Sequence, residues 1–128
     1  MKSLPDFVWT RRALMVGGCT LAFGARAQSP VIFNIAVLAG RVTGDSVAIP
    51  ARGAATLRVK RGDQIELRWS VDAPTELHLH GYNIETRAKP GEVTVLTFLA
   101  RATGRFPVET HDAQGRHRVL LYMEVHPR

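Results

Sequence analysis

The sequence predicts an all-β fold, an antiparallel sandwich or barrel of seven or eight strands. Three observations carry this. Apolar and polar residues alternate with a period of two through most of the chain after Gln28, as half-buried strands require. Turn signals built on Gly, Asp and Pro recur about every 8–12 residues. Beyond residue 27 no segment keeps the apolar period of a helix.

Taken in order, Val31 to Val42 is β-branched and apolar and reads as one buried strand, closed by a turn at Gly44-Asp45. Ala55 to Lys60 alternates, with Leu57 and Val59 on one face, and Arg61-Gly62-Asp63 turns the chain. Gln64 to Val71 sets Ile65, Leu67, Trp69 and Val71 against Glu66 and Arg68. Thr75 to His80 is the next strand and Ile84 to Ala88 a short edge strand. After Lys89-Pro90-Gly91 come Val93 to Leu99, a turn at Thr103-Gly104, and Arg105 to Thr110. A loop from His111 to Arg116 leads into the last strand, His117 to Val125, with Val119, Leu121, Met123 and Val125 on one face.

The chain has 128 residues and a net charge of +6, which suits one domain. Part of that charge belongs to residues 1–27, where Lys2, Arg11, Arg12 and Arg26 face only Asp6. The rest carries 13 basic and 10 acidic residues, scattered and without interleaved aromatics, which argues against a nucleic-acid partner. Arg11-Arg12 opens an apolar stretch that ends near Ala25. It is short and glycine-interrupted for a membrane span. Ala25-Arg26-Ala27 then has the small-x-small form of a cleavage site, so residues 1–27 read as an export signal and residues 28–128 as the exported domain. The paired arginines resemble a twin-arginine signal, with an ordinary secretory signal as the alternative. Cys19 is the only cysteine. Its surroundings weakly resemble a lipoprotein site, but the apolar run continues past it. Cleavage after Ala27 leaves a domain without disulfide or thiolate.

Chemistry concentrates in E-L-H-L-H-G-Y, Glu76 to Tyr82. Leu77 and Leu79 take one side of the strand, and Glu76, His78 and His80 the other. The two imidazoles leave the same side about 7 Å apart at Cα, close enough to converge on one metal ion. In the strand before the last loop, Phe106 and Val108 share the core parity with Thr110, which sends Pro107, Glu109 and His111 outward. His117 shares parity with Val119 and Leu121, so it is expected toward the end of the sandwich, capping an inner site with Asp112 or lying in the loop. His126 reads as a solvated tail residue, Trp69 and Met123 as core, and Tyr82 and Tyr122 as packing residues.

The order of R-V-K-R-G-D (58–63), H-L-H-G-Y (78–82), K-P-G-E-V-T-V-L-T-F (89–98) and G-R-F-P-V-E-T-H (104–111) resembles the cupredoxins over most of residues 28–128. H-x-H-G is also similar to the copper-binding segments of multicopper oxidases. The resemblance implies a Greek-key arrangement and neighbouring positions for the strands of His78 and His111. The family pattern places a copper-binding cysteine where this chain has Thr110. Blue-copper electron transfer needs that thiolate, so it is excluded here. What remains is an outer-face site of His78, His80 and His111 with Glu109 as ligand or hydrogen-bonding partner, and His117 as a further candidate. Glu76 could orient a ligand equally well. Copper is the metal the resemblance favours, with zinc or none as alternatives.

Three functions fit this reading. One is a periplasmic copper-binding protein that stores or hands over metal. Another is a metal-dependent enzyme whose site is completed at a self-association contact. The last is a metal-free module that docks on another envelope protein. No nucleophile-base order and no phosphate loop supports a separate catalytic class.

Overall fold

The computed structural model describes residues 27–112 and 114–128. Among them there is no helix. Ten strands follow one another: β1 (Val31–Leu38), β2 (Arg41–Gly44), β3 (Val47–Ala48), β4 (Ala55–Lys60), β5 (Gln64–Val71), β6 (Thr75–Leu79), β7 (Ile84–Ala88), β8 (Thr94–Leu99), β9 (Gly104–His111) and β10 (His117–His126). They form a four-stranded sheet ordered β2-β1-β5-β8 and a six-stranded sheet ordered β3-β4-β10-β9-β6-β7. The all-β expectation holds, and the antiparallel one holds for most pairs. β1 with β5 and β4 with β10 are parallel. Both parallel pairs join strands far apart in sequence, where no hairpin constrains direction.

The period-two pattern fixes the core. Ile65, Leu67 and Trp69 of β5 are fully buried, as are Leu77 and Leu79 of β6, Val108 of β9, and Leu121 and Met123 of β10. They pack between the sheets, each apolar side chain contributing roughly 1.5–3 kcal/mol for leaving water. The Trp69 indole nitrogen has no hydrogen-bond partner in this interior.

Three departures from the sequence reading have local causes. The run from Val31 to Val42 is a hairpin, because Ala39 and Gly40 both take positive φ, 48° and 73°, and pair Leu38 with Arg41 across a two-residue turn. Ala39 is held there by its own N–H, which donates to Asp72 Oδ2 at 2.7 Å. The β3 segment is only two residues long, below what alternation detects. Finally, β10 carries a bulge: Val119 pairs with Glu109 while Leu121 pairs with Val108, leaving Leu120 as the extra residue. Leu120 and Leu121 are both buried, so the parity of the strand inverts between them.

Candidate metal centre

The central strands of the six-stranded sheet, β10, β9 and β6, expose one polar face. On β6 burial of Leu77 and Leu79 turns Glu76, His78 and His80 outward. On β9 Val108 and Thr110 are buried and Glu109 and His111 face out. The register sets His78 opposite Glu109 on one side and opposite Glu85 of β7 on the other. Across β9, His117 lies opposite His111. The turn after β6 fixes the last of these side chains. Gly81 sits at φ 80° with the Phe106 ring against it, and a Cβ there would meet Phe106 Cδ1 at 2.5 Å. Only glycine suits both constraints. The His80 N–H then donates to the Pro107 carbonyl at 3.1 Å, tying this end of β6 to β9.

His117 is where the sequence reading needs correction. Its parity with Leu121 placed it toward the sandwich end, but the bulge at Leu120 swings it to the outer face beside His111. A bulge adds one residue without a composition signal, and Val-Leu-Leu gives no sign of which position is extra.

The side chains form a continuous contact path. The Glu109 carboxylate oxygen Oε2 accepts from His80 Nε2 at 2.9 Å and from His117 Nδ1 at 3.0 Å. His117 Nδ1 is also 3.1 Å from His111 Nε2. His111 Nδ1 donates to Glu76 Oε1 at 3.1 Å. Arg87 reaches the other oxygen of Glu76 at 3.7 Å. Neutral imidazoles satisfy every contact when His80 carries its proton on Nε2 and His111 and His117 carry theirs on Nδ1. His78 stands outside this path. Its ring lies on His80, centroids 3.9 Å apart and planes tilted by 36°.

The carboxylates respond to these donors. At Glu76 the hydrogen bond from His111 holds the carboxyl below its ordinary range, helped by the charge of nearby Arg87. At Glu109 burial works against the charge, but the hydrogen bonds from His117 and His80 outweigh it and the carboxyl again lies low. Both are therefore acceptors through the neutral pH range.

Two groups of ligand-type atoms result. His80, Glu109 and His117 offer atoms all within 4.8 Å of one another, and so do Glu76, Glu85 and His111. The first group has the better chemistry for a transition metal. Its donors are two imidazoles and one carboxylate, a set that suits zinc or copper. A tetrahedral centre with bonds of about 2.0–2.1 Å has ligand-to-ligand edges of roughly 3.3 Å. The contacts of 2.9 and 3.0 Å on Glu109 need to open by only a few tenths of an ångström to match. The second group is mainly acidic and already holds the Arg87 guanidinium. It serves better to orient His111, whose Nδ1–H on Glu76 would leave Nε2 free to bind an ion beside His117. Of the residues expected from sequence, His80, His111, Glu109 and His117 are thus contiguous, and His78 joins them through its ring contact. Glu85 is the residue that sequence reasoning passed over, since only the register with His78 brings it to this face.

Neither a family model nor a curated protein matches this chain in sequence. Solved structures match it in fold. The periplasmic domain of subunit II of cytochrome oxidase from Bradyrhizobium japonicum aligns with a TM-score of 0.59 at 14% identity, covering 79% of this chain and 87% of that one. A chain of a heme-copper terminal oxidase dimer aligns at 0.55 and 16% identity over 74% of this chain, and a multicopper oxidase at 0.51 and 16% over 78%. This chain spans 64% of the former and 43% of the latter. At such identities the likeness is one of fold, and the fold is cupredoxin-like.

Proposed function

We propose that the protein is exported to the periplasm, binds one Cu(II) ion on the outer face of the six-stranded sheet, and stores it or hands it on. The observation that carries this is the convergence of His80 Nε2 and His117 Nδ1 on Glu109 Oε2, at 2.9 and 3.0 Å, in a group whose ligand-type atoms all lie within 4.8 Å of one another. His111 adds a fourth donor oriented by Glu76, and His78 backs His80. Nitrogen and oxygen donors without a thiolate suit Cu(II), with Zn(II) the competing ion. No described residue is a cysteine, and Cys19 lies outside the described residues. The paired arginines before the apolar stretch support export, though they lie outside the described residues.

Partial exposure of the ligands favours transfer over tight sequestration. The side chains of His80, Glu109 and His117 keep 38%, 18% and 61% of their surface open to water. An ion there would be reachable by a second protein's ligands. The decisive experiment is elemental analysis of protein purified from the compartment to which the cell delivers it, followed by titration with Cu(II) and Zn(II). One equivalent of copper, lost in His80→Ala, supports the proposal. Protein that takes up neither ion above the level of the His80→Ala variant rules it out.

A further inference from the structure

Cations that are scattered in the sequence are gathered by the register at one end of the outer face of the six-stranded sheet. β4, β10 and β9 are neighbours there, and Glu124 of β10 stands between Arg58 on one side and Arg105 on the other. Lys60 lies opposite His126, and the N–H of Arg61 donates to the His126 carbonyl at 2.8 Å. Burial of Leu57 and Val59 turns Arg58 and Lys60 outward, as burial of Met123 and Val125 does for Glu124 and His126. Arg58, Lys60, Arg61 and Arg105 against Glu124 leave a net charge of +3, which is the whole net charge of residues 28–128. Asp63, in the turn after β4, is paired with Arg128. One carboxylate organises the group. Arg58 Nε donates to Glu124 Oε2 at 3.2 Å, and Arg105 Nε stands 3.6 Å from Glu124 Oε1. The Arg105 guanidinium also lies over the Tyr122 ring, 3.8 Å from its centroid. Both arginines are thus oriented, yet their side chains keep 69% and 54% of their surface open to water. Each uses its Nε on Glu124, which leaves the far edge of the guanidinium for another acceptor.

The chemistry of the patch selects its occupant. A guanidinium edge matches a carboxylate in two parallel hydrogen bonds. Glu124 repels a compact dianion such as phosphate placed between the arginines, whereas separate carboxylates spaced along a chain pair with each arginine from outside. A lipid surface needs apolar side chains beside the cations. Here the exposed Ile32, Leu38, Val95 and Leu99 belong to β1 and β8 of the other sheet. We infer that the basic end of this face is a docking site for an acidic segment of a partner protein, whose Glu and Asp carboxylates pair with Arg58, Lys60 and Arg105. The rest of the face carries the opposite sign, with Glu76, Glu85 and Glu109 against Arg87. Glu109 lies four residues beyond Arg105 on β9, or about 13 Å along the strand. A partner seated on the basic end therefore brings its own side chains over His80, Glu109 and His117 within one interface of ordinary size. That this partner gives or takes the ion rests on the copper reading above, whereas the docking itself does not.

Titration of the metal-free protein, in chelator, with poly-L-glutamate of about 20 residues tests the docking, read by amide chemical shifts at about 50 mM salt. Shifts centred on Arg58, Lys60, Arg105 and Glu124 are expected. Arg58→Glu with Arg105→Glu should raise the dissociation constant at least tenfold. Arg41→Glu with Arg52→Glu makes the same change in net charge at exposed positions elsewhere and should change it less than threefold. Thermal melts check the fold of each variant, and Arg58→Gln with Arg105→Gln replaces the reversed charges if those lower the midpoint. No binding, shifts centred on the other sheet, or equal losses in the two charge-reversed pairs overturn the inference. So does tighter binding of phosphatidylglycerol vesicles than of poly-L-glutamate through the same arginines, which would make the surface a membrane contact. Because chelator is present throughout, a protein found to carry no ion leaves this result standing and removes only the partner's role in exchange.

Discussion

His117→Ala separates the proposed centre from a simple polar sheet face. The side chain is 61% exposed and lies at the start of β10. Its removal takes away no core contact, and surface changes of that kind usually move stability by less than about 0.5 kcal/mol. Its hydrogen bond to Glu109 is open to water at the His117 end, and such exposed pairs contribute roughly 0–1 kcal/mol. The thermal midpoint should therefore barely move. Metal affinity should move a great deal. His117 Nδ1 stands 3.0 Å from Glu109 Oε2 and 3.1 Å from His111 Nε2, so binding an ion would require little rearrangement. Loss of even an outer-shell partner costs about 10–100-fold in metal affinity. Loss of a direct ligand from a site with three or four should cost at least as much, or 1.4 kcal/mol and upward.

The assay is competition for Cu(II) against a chromophoric chelator, with thermal melts of the same samples. His126→Ala is the control, because His126 pairs with Glu124 at 3.4 Å at the far end of β10 and belongs to neither group of ligand-type atoms. Expected are an affinity at least tenfold lower for His117→Ala and an unchanged one for His126→Ala. An affinity of His117→Ala within twofold of the parent would refute the reasoning, and with it the idea that the Leu120 bulge builds the site.

Further outcomes follow from the same contacts. Glu76→Gln keeps the size of the side chain but weakens the grip on His111 Nδ1, so Cu(II) affinity should fall about 10–100-fold without vanishing in the same competition assay. Glu76 and Glu109 both titrate below their ordinary value of 4.5 in the folded protein. The unfolded chain therefore binds protons first, and the stability these groups add is present above that value and lost as pH falls through their lowered folded values. Denaturant midpoints of the parent should drop over that window more steeply than those of Glu109→Gln. Cu(II) should give only weak d–d absorption, since Thr110 supplies no thiolate, and an intense blue band would sink the assignment of that position. Replacement of Arg11 and Arg12 by Lys should block export through a twin-arginine route, and normal export would point to the general secretory one.

Much of the fold was legible because alternation reports burial directly. β4, β5 and β7 start and end where alternation places them, and β8 to β10 differ by a residue or so. The face assignment of β6 and β9 followed from single apolar pairs, Leu77 with Leu79 and Phe106 with Val108. What stayed hidden depends on contacts that sequence does not announce. The Ala39-Gly40 turn lacks the usual asparagine or aspartate, and Asp72, far along the chain, supplies the missing hydrogen bond. The parallel pairs depend on which distant strands meet. The position of His117 depends on one unpaired leucine, and parity counted through that residue gives the opposite face.

The same parity logic explains why the proposed centre lies outside the sandwich. On β9 the inward positions near the loop are Val108 and Thr110, both buried, and the outward ones are Glu109 and His111. An inward thiolate would be enclosed between the sheets, shielded from water and from other proteins. An outward histidine gains the opposite properties. The proposed ligand set would be assembled across strands, from β6, β9 and β10, with the sheet register setting the spacing. The donors stay accessible, and no side-chain rearrangement in the core is needed to release an ion. Electron transfer by a blue-copper centre relies on Cu–thiolate bonding that this face does not offer. Exchange of a whole ion between proteins needs an open approach and ligands that a competing set can replace one at a time. The exposed His117 and the half-buried His80, both leaning on the single oxygen of Glu109, meet that requirement.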